Sequence, residues 1–472
     1  MTRLPGESRK TDLSLSLLSG HGYHPPNMQR WNKEAIAVVA AALVMTAKAR
    51  GGSDVDWREL AKAGIEQHRM SAVTIHVRDW EGRPLKGVSM RVEQTGHAFM
   101  FGTCVHAGVL LEKNHERPRK ELLALFNTVV FGNEMKWKYW ENVERRQRLT
   151  EAIAWIRSNG LRLRGHTMLW PTALWGKPMP RDVMDAIEKN DPADRARVRQ
   201  RTFDHVRRIG ATYDGVVEEW DVINEQCEQN VWSRYLTPKT PVTGSRDVAK
   251  LFQVAREATP RARLIINDYH ILVGDFPKQV KTYEKIIRKL LDAEVPLDGI
   301  GFQCHYHGGD LLLTAGELRS RLDRFAALVP SLVVTEYDTF GGRWPKDQAG
   351  REKQEAEFLE QFLLTFFSHP AAAGFMVWGF WDGHHWQKRA PFFRKDWTPK
   401  PALDVYRKYV LGEWMTRETL TTSEAGTASL RGFHGSYKIT ISHQGREFVM
   451  NEHLAPDVGR WDFSIRGEKK AK

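Results

Sequence analysis

The spacing of apolar residues along the chain changes character twice. Residues 54 to 70 carry them at helical intervals, which predicts a leading helix. Ala72 to Arg78 and Gly87 to Glu93 then alternate apolar and polar positions around Glu81-Gly82-Arg83-Pro84, which predicts a β-hairpin or a strand pair with a longer loop. Next come eight short apolar runs, beginning near Phe99, Thr128, Arg162, Val216, Arg263, Gly299, Leu332 and Gly374, each leading into a helical stretch. Amphipathic helices are expected at 141–158, 196–209, 277–292, 315–328, 351–367 and 402–410. This alternation predicts an α/β fold, an eight-fold β/α (TIM) barrel. An open doubly wound sheet would carry a glycine-rich phosphate loop after its first strand, and the sequence has none there.

Beyond Trp414 the texture is β again, with Tyr437 to Ser442 and Glu447 to Met450 separated by His443-Gln444-Gly445. One short hairpin buries little surface alone. The strands at 72–93 and those within 415–466 are therefore expected to join in one small accessory β-sandwich, with two separate decorations as the alternative. The resulting domain map is an N-terminal extension at 1–53, a leading helix and strands at 54–97, a catalytic barrel at 98–412 and a C-terminal β-strand tail at 413–472.

A chain of 472 residues, 41% hydrophobic and 27% charged, can bury a barrel-sized core, which argues against disorder. Its formal charge of +12 is spread along the sequence without a basic cluster interleaved with aromatics, so no nucleic-acid partner is expected. The surplus would suit either an acidic polysaccharide or plain solubility. Cys104, Cys227 and Cys304 are too few and too far apart for a disulfide framework or a CxxC metal site, and are read as small buried packing residues. No apolar run reaches the roughly 18 to 20 residues needed to cross a bilayer. Ala35 to Met45, preceded by Arg30 and Lys33 and followed by Ala47-Lys48-Ala49, reads as a signal peptide over 28–49 if translation starts at Met28. The protein would then be secreted or periplasmic; otherwise it would be cytoplasmic. A monomer is expected.

Barrel enzymes place catalytic groups at the C-terminal ends of their strands. Here the third run ends Arg164-Gly165-His166-Thr167-Met168-Leu169-Trp170, the fourth Trp220-Asp221-Val222-Ile223-Asn224-Glu225, the sixth Gly301-Phe302-Gln303-Cys304-His305 and the seventh Val333-Val334-Thr335-Glu336-Tyr337-Asp338. Two strand-end carboxylates in aromatic surroundings suit glycosidic cleavage, in which an apolar setting keeps one protonated for the leaving oxygen and the other stays ionised to attack the anomeric carbon. A nucleophilic mechanism needs them roughly 5 to 5.5 Å apart. Trp170, Trp175, Trp378, Trp381, Trp386 and Trp397 fall at or after strand ends, where flat rings can stack on sugars. His305, His307, His384 and His385 also admit a metal reading with Glu336 as ligand, but no acidic residue sits at ligand spacing beside His384 and His385. Neither a metal nor a cofactor is expected.

At these residues the sequence resembles glycoside hydrolase family 10, the endo-β-1,4-xylanase family. GHTMLW, WDVINE, INDYH, DGIGFQCH, VTEYD and VWGFWDGHHW followed by WTPKPAL occur in family order over about residues 98 to 410, and the leading strands resemble those of many plant and bacterial members. The resemblance implies a retaining hydrolase of β-1,4-xylan or a related plant polysaccharide. It implies Glu225 as acid/base and Glu336 as nucleophile, oriented by His305, which Asp338 supports. Asn224 would hold the 2-hydroxyl of the sugar under attack, while His166, Trp170, Gln303, Trp378 and Trp386 would line its site. Asn133 and Lys136 would reach the next ring, and Tyr269 would lie toward the leaving group.

Two positions depart from the pattern. Gly132 stands where the family usually has the Glu of Glu-Asn-x-x-Lys, and Pro171 stands where most members have His. Both normally make hydrogen bonds to the glycone, so the departures raise a second reading, a β-glycosidase acting on a decorated or non-xylan glycoside. A non-catalytic carbohydrate-binding protein is the third.

Overall fold

The computed structural model describes residues 56–307, 310–339 and 345–465. The N-terminal extension, where a signal peptide was expected at 28–49, and residues 340–344 of the loop after the seventh barrel strand lie outside the described residues.

The chain enters through a helix, Trp57–Arg69, capped by Asp56, and runs directly into β1 (Met70–Asp79) and then β2 (Ser89–His97). Eight parallel strands close the barrel: β3 (Met100–Val105), β4 (Thr128–Phe131), β5 (Arg162–Leu169), β6 (Glu219–Asn224), β7 (Arg263–Asp268), β8 (Gly299–Phe302), β10 (Leu332–Thr339) and β11 (Ala372–Val377). A two-residue strand, β9 (His305–Tyr306), continues the line of β8 and pairs with the end of β10. Closure comes from β11, which pairs with β10 on one side and β3 on the other. The strand starts and the helices, such as Val143–Ser158, Pro277–Asp292 and Gln348–Phe367, lie within a few residues of the positions read from the sequence.

The strands are buried along nearly their whole length, as parallel strands covered on both faces must be. One consequence is visible at Gly165 in β5, where an added Cβ would come within 2.1 Å of the Trp220 ring; only glycine leaves room for that indole. Met100, Val333 and Met376, from β3, β10 and β11, form a small apolar cluster of their own. Most of the apolar core lies in one large continuous cluster.

The terminal segments form one module, as expected, but its wiring differs from the sequence reading. β1 and β2 do not pair with each other. β1 sits between β13 (Thr427–Phe433) and β16 (Arg460–Ile465), while β2 sits between β12 (Arg417–Thr421) and β14 (Gly435–His443), with β15 (Arg446–Leu454) beyond. Alternation along β1 and β2 gives each strand one apolar face, and those faces meet across a shared core of Val73, Ile75, Val77, Met90, Val92, Ile439, Ile441 and Phe463. Placing the two strands in opposite sheets buries both faces against each other, which a hairpin cannot do. The predicted tail hairpin is present: β14 and β15 pair in register about Gln444 and Gly445, both with positive φ (50° and 74°), the two-residue turn that matches strand twist.

Candidate active site

Glu225 directly follows β6 and Glu336 lies within the second half of β10, and both residues are nearly buried, at 7% and 4% exposure. Glu225 follows the last residue of β6 in the left-handed backbone region, φ 58°, held there by its N–H donating to the Asn267 carbonyl at 2.8 Å. Such a conformation is costly for a residue with a side chain, and tight surroundings keep it in place.

A chain of amides joins the two acids. Asn267 Nδ2, at the end of β7, donates to Glu336 Oε1 at 3.0 Å and to Asn224 Oδ1 at 2.9 Å. Asn224 Nδ2 in turn donates to Glu225 Oε1 at 3.2 Å, and Gln303 Nε2 reaches the same oxygen at 3.1 Å. The Trp170 indole donates to the other oxygen of Glu225 at 2.8 Å. The two acids therefore share a hydrogen-bond network at the mouth of the barrel.

Their immediate partners differ in charge. Glu225 is touched by neutral donors, and burial pushes its carboxyl up to about 7, with the Glu336 charge adding to the effect. Glu336 faces His305, whose Nε2 lies 3.2 Å from Oε2. Burial disfavours charge on that imidazole, yet Asp338, 2.7 Å from Nδ1, and Glu336 outweigh it and hold His305 up at about 10. Burial likewise works against the Asp338 carboxylate, but His305 and His385 bring it down to about 2. His385 Nε2 at 3.2 Å and the Trp386 indole at 2.7 Å complete the surroundings of Asp338.

Most residues picked out from the sequence meet here. Asn224, Gln303, Trp170, His305, Asp338 and Trp386 are bonded into the network, and Trp378 lies edge-on to His166 and His305 with ring centres 5.3 and 6.2 Å away. Lys136 Nζ donates to Asn133 Oδ1 at 3.1 Å and sits over the Trp170 ring, 4.5 Å from its centre. Burial lowers this ammonium, and Glu336 and Glu225 pull it back up. Tyr269 stands apart, its hydroxyl donating to Glu228 at 2.7 Å rather than to either acid of the pair. Among the tryptophans, Trp386 and Trp175 are 47% and 68% exposed, while Trp381 and Trp397 stack on each other with centres 4.3 Å apart. Of the four histidines that admitted a metal reading, His384 packs against His115 and Trp381, away from Asp338. No group of His, Cys, Asp and Glu able to hold a metal is present among the described residues.

Three supporting residues were given no role from the sequence, Asn267, Asp221 and Arg164, and His385, considered there only as a possible metal ligand, instead contacts Asp338. Asp221 Oδ2 lies 2.9 Å from His166 Nδ1 and its other oxygen accepts from Arg164, which also donates to Glu219 at 2.6 Å. Asn267, Asp221 and His385 lie inside the motifs INDYH, WDVINE and VWGFWDGHHW; a polar residue within a buried strand run is the signal that points to them.

An eight-fold β/α barrel with two buried glutamates linked through a chain of amides, and with Trp170 and Trp386 bonded to the surrounding acids, has the architecture of a glycoside hydrolase. The profile described as Glycosyl hydrolase family 10 matches residues 90–409. The chain belongs to that family. It is 28% identical over 398 residues to "Anti-sigma-I factor RsgI6" of Acetivibrio thermocellus, covering 83% of this chain and 47% of that protein. It is 26% identical over 377 residues to "Endo-1,4-beta-xylanase 2" of Arabidopsis thaliana, covering 78% of this chain and 32% of that one. The chain thus spans less than half the length of either relative. Among solved structures, "GH10 from Paenibacillus barcinonensis" aligns with a TM-score of 0.54 at 27% identity over 66% of this chain and 94% of that one. No helix among the described residues is long and apolar enough to cross a membrane.

Proposed function

We propose that the protein is a retaining hydrolase of β-1,4-xylan or a closely related plant polysaccharide, with Glu225 as acid/base and Glu336 as nucleophile. The observation that carries this reading is the contrast between the two glutamates. Burial pushes the carboxyl of Glu225 up to about 7 among neutral hydrogen-bond donors, so it can hold a proton for the leaving oxygen, whereas Glu336 contacts His305, an imidazole held up at about 10.

In the first step Glu336 attacks the anomeric carbon while Glu225 gives its proton to the glycosidic oxygen, and the aglycone leaves. A covalent glycosyl ester on Glu336 results. In the second step Glu225, now ionised, takes a proton from water as the water oxygen attacks the same carbon, and Glu336 departs as carboxylate. Asn224, fixed between Asn267 and Gln303, is placed to bind a sugar hydroxyl beside the reacting carbon. The family membership and the printed name of the Arabidopsis relative support xylan as substrate.

A second reading, a β-glycosidase of the same mechanism for a decorated or non-xylan glycoside, is favoured by Gly132 and Pro171. Pro171 has no N–H to donate, and its carbonyl accepts from Val231 at 3.1 Å. The test is turnover of linear and decorated xylans beside aryl β-xyloside, aryl β-glucoside and aryl α-arabinoside. Depolymerisation of xylan supports the first reading, cleavage of aryl glycosides without it supports the second, and no turnover of any of them overturns both.

A further inference from the structure

The first two barrel strands end side by side at the mouth, β3 leading into His106 and β4 into Gly132. Gly132 is not one of the left-handed glycines among the described residues, so its backbone would accept other residues. Space is what excludes them. A Cβ built at Gly132 would lie 2.9 Å from Cys104 Sγ and 3.3 Å from His106 Cε1, inside van der Waals contact, so the volume a side chain would enter is already taken by a thiol and an imidazole.

That imidazole is held. His106 Nδ1 lies 3.6 Å from Glu134 Oε1, and the Glu134 carboxylate also accepts from the Ala107 N–H at 2.7 Å and the Asn133 N–H at 3.2 Å. Burial alone would raise the Glu134 carboxyl, but His106 and the Ala107 N–H hold it below the usual carboxylate range. The His106 side chain remains 37% exposed while that of Glu134 is 17% exposed. A carboxylate on one ring nitrogen fixes the ring and leaves the other nitrogen able to meet a ligand.

The pair adjoins the reaction centre. Glu134 lies between Asn133 and Lys136, whose Nζ bonds to Asn133 at 3.1 Å and sits 4.5 Å from the centre of the Trp170 ring, and that indole donates to Glu225 at 2.8 Å.

We propose that His106, positioned by Glu134, is the specificity-determining residue for the glycone ring beyond the one under attack, filling the place of the side chain that Gly132 lacks and hydrogen-bonding a hydroxyl of that ring. This deepens the functional reading above and rests on it. Glu134 is a positioning residue, since it acts through the imidazole.

The test compares kcat/KM for aryl β-xyloside, which has one glycone ring, and aryl β-xylobioside, which has two. In wild type the second ring raises kcat/KM. His106→Ala lowers the two-ring to one-ring ratio about tenfold, mostly through KM, the size of one lost polar contact. His106→Gln, which keeps a polar group, recovers part of it, and Glu134→Gln falls between. Gly132→Glu alone lowers the ratio because it collides with His106, whereas Gly132→Glu combined with His106→Ala restores it toward wild type. Equal losses on both substrates, an unchanged ratio in His106→Ala, or simple additivity in the double variant would overturn the proposal while leaving the hydrolase reading intact. If wild type cleaves neither substrate, the xylan reading fails and takes this inference with it.

Discussion

The two ends of the amide chain teach most when set side by side. At one end Glu225 is bonded by an indole and two primary amides, none of which carries charge. At the other, Glu336 meets the same kind of amide from Asn267 but also His305, which is backed by a carboxylate held at about 2. Similar burial therefore comes with different surroundings: an imidazole held up at about 10 contacts Glu336, the hydrogen-bond donors to Glu225 are neutral, and the Lys136 ammonium acts on both acids. On the function proposed above, one residue type is given two roles by its neighbours.

The deepest break in this contrast is Glu336→Ala. Without the attacking carboxylate, kcat falls on all substrates by on the order of 10^4-fold or more, read by steady-state assay, and added azide yields a product of inverted configuration. Next is Glu225→Ala, which lowers turnover of polysaccharide by roughly 10^2- to 10^4-fold but leaves the first step on aryl glycosides with good leaving groups nearly intact, since they need little proton donation. Exchange of these two phenotypes would reverse the role assignment.

Asp338→Asn acts at one remove. It takes away the charge that holds His305 up at about 10, so the imidazole loses its proton at a lower pH and no longer presents a cation to Glu336. The loss of a charged, buried hydrogen-bond partner lowers kcat/KM by about 10- to 100-fold at pH 7, and activity recovers in part as pH falls and His305 regains its proton.

The smallest effect sharpens the Glu225 end. Since this group must be protonated to donate, kcat/KM falls as pH rises through about 7. The Trp170 indole stabilises the ionised form, so Trp170→Phe raises the Glu225 value and moves the alkaline limb of the profile to higher pH, with only a few-fold change at the optimum. A limb that moves down instead would contradict the assigned environment.

Much of this architecture was legible in the sequence because barrel strands and their helices are local patterns. The runs beginning near Thr128, Arg162, Arg263, Gly299 and Leu332 coincide with the starts of β4, β5, β7, β8 and β10. The acids were legible too, since Glu225 and Glu336 close apolar runs. Partner choice was not: alternation in Ala72 to Arg78 predicts a strand and its apolar face, but whether that strand pairs with Gly87 to Glu93 or with β13, more than 300 residues away, depends on long-range packing. Interior polar residues such as Arg164 and Asp221 were hidden for a related reason. In a continuous buried run no periodicity marks which side chains point into the barrel, so their pairing appears only once β5 and β6 lie side by side.

Proton NMR of the first sugar released from a β-linked xylo-oligosaccharide tests the central claim most directly. Two displacements at one carbon, the first by Glu336 and the second by water, require the β-anomer to appear first and the α-anomer to grow only as fast as mutarotation allows. Initial release of the α-anomer would mean a single displacement by water, and the pairing of Glu225 with Glu336 as acid and nucleophile would be wrong.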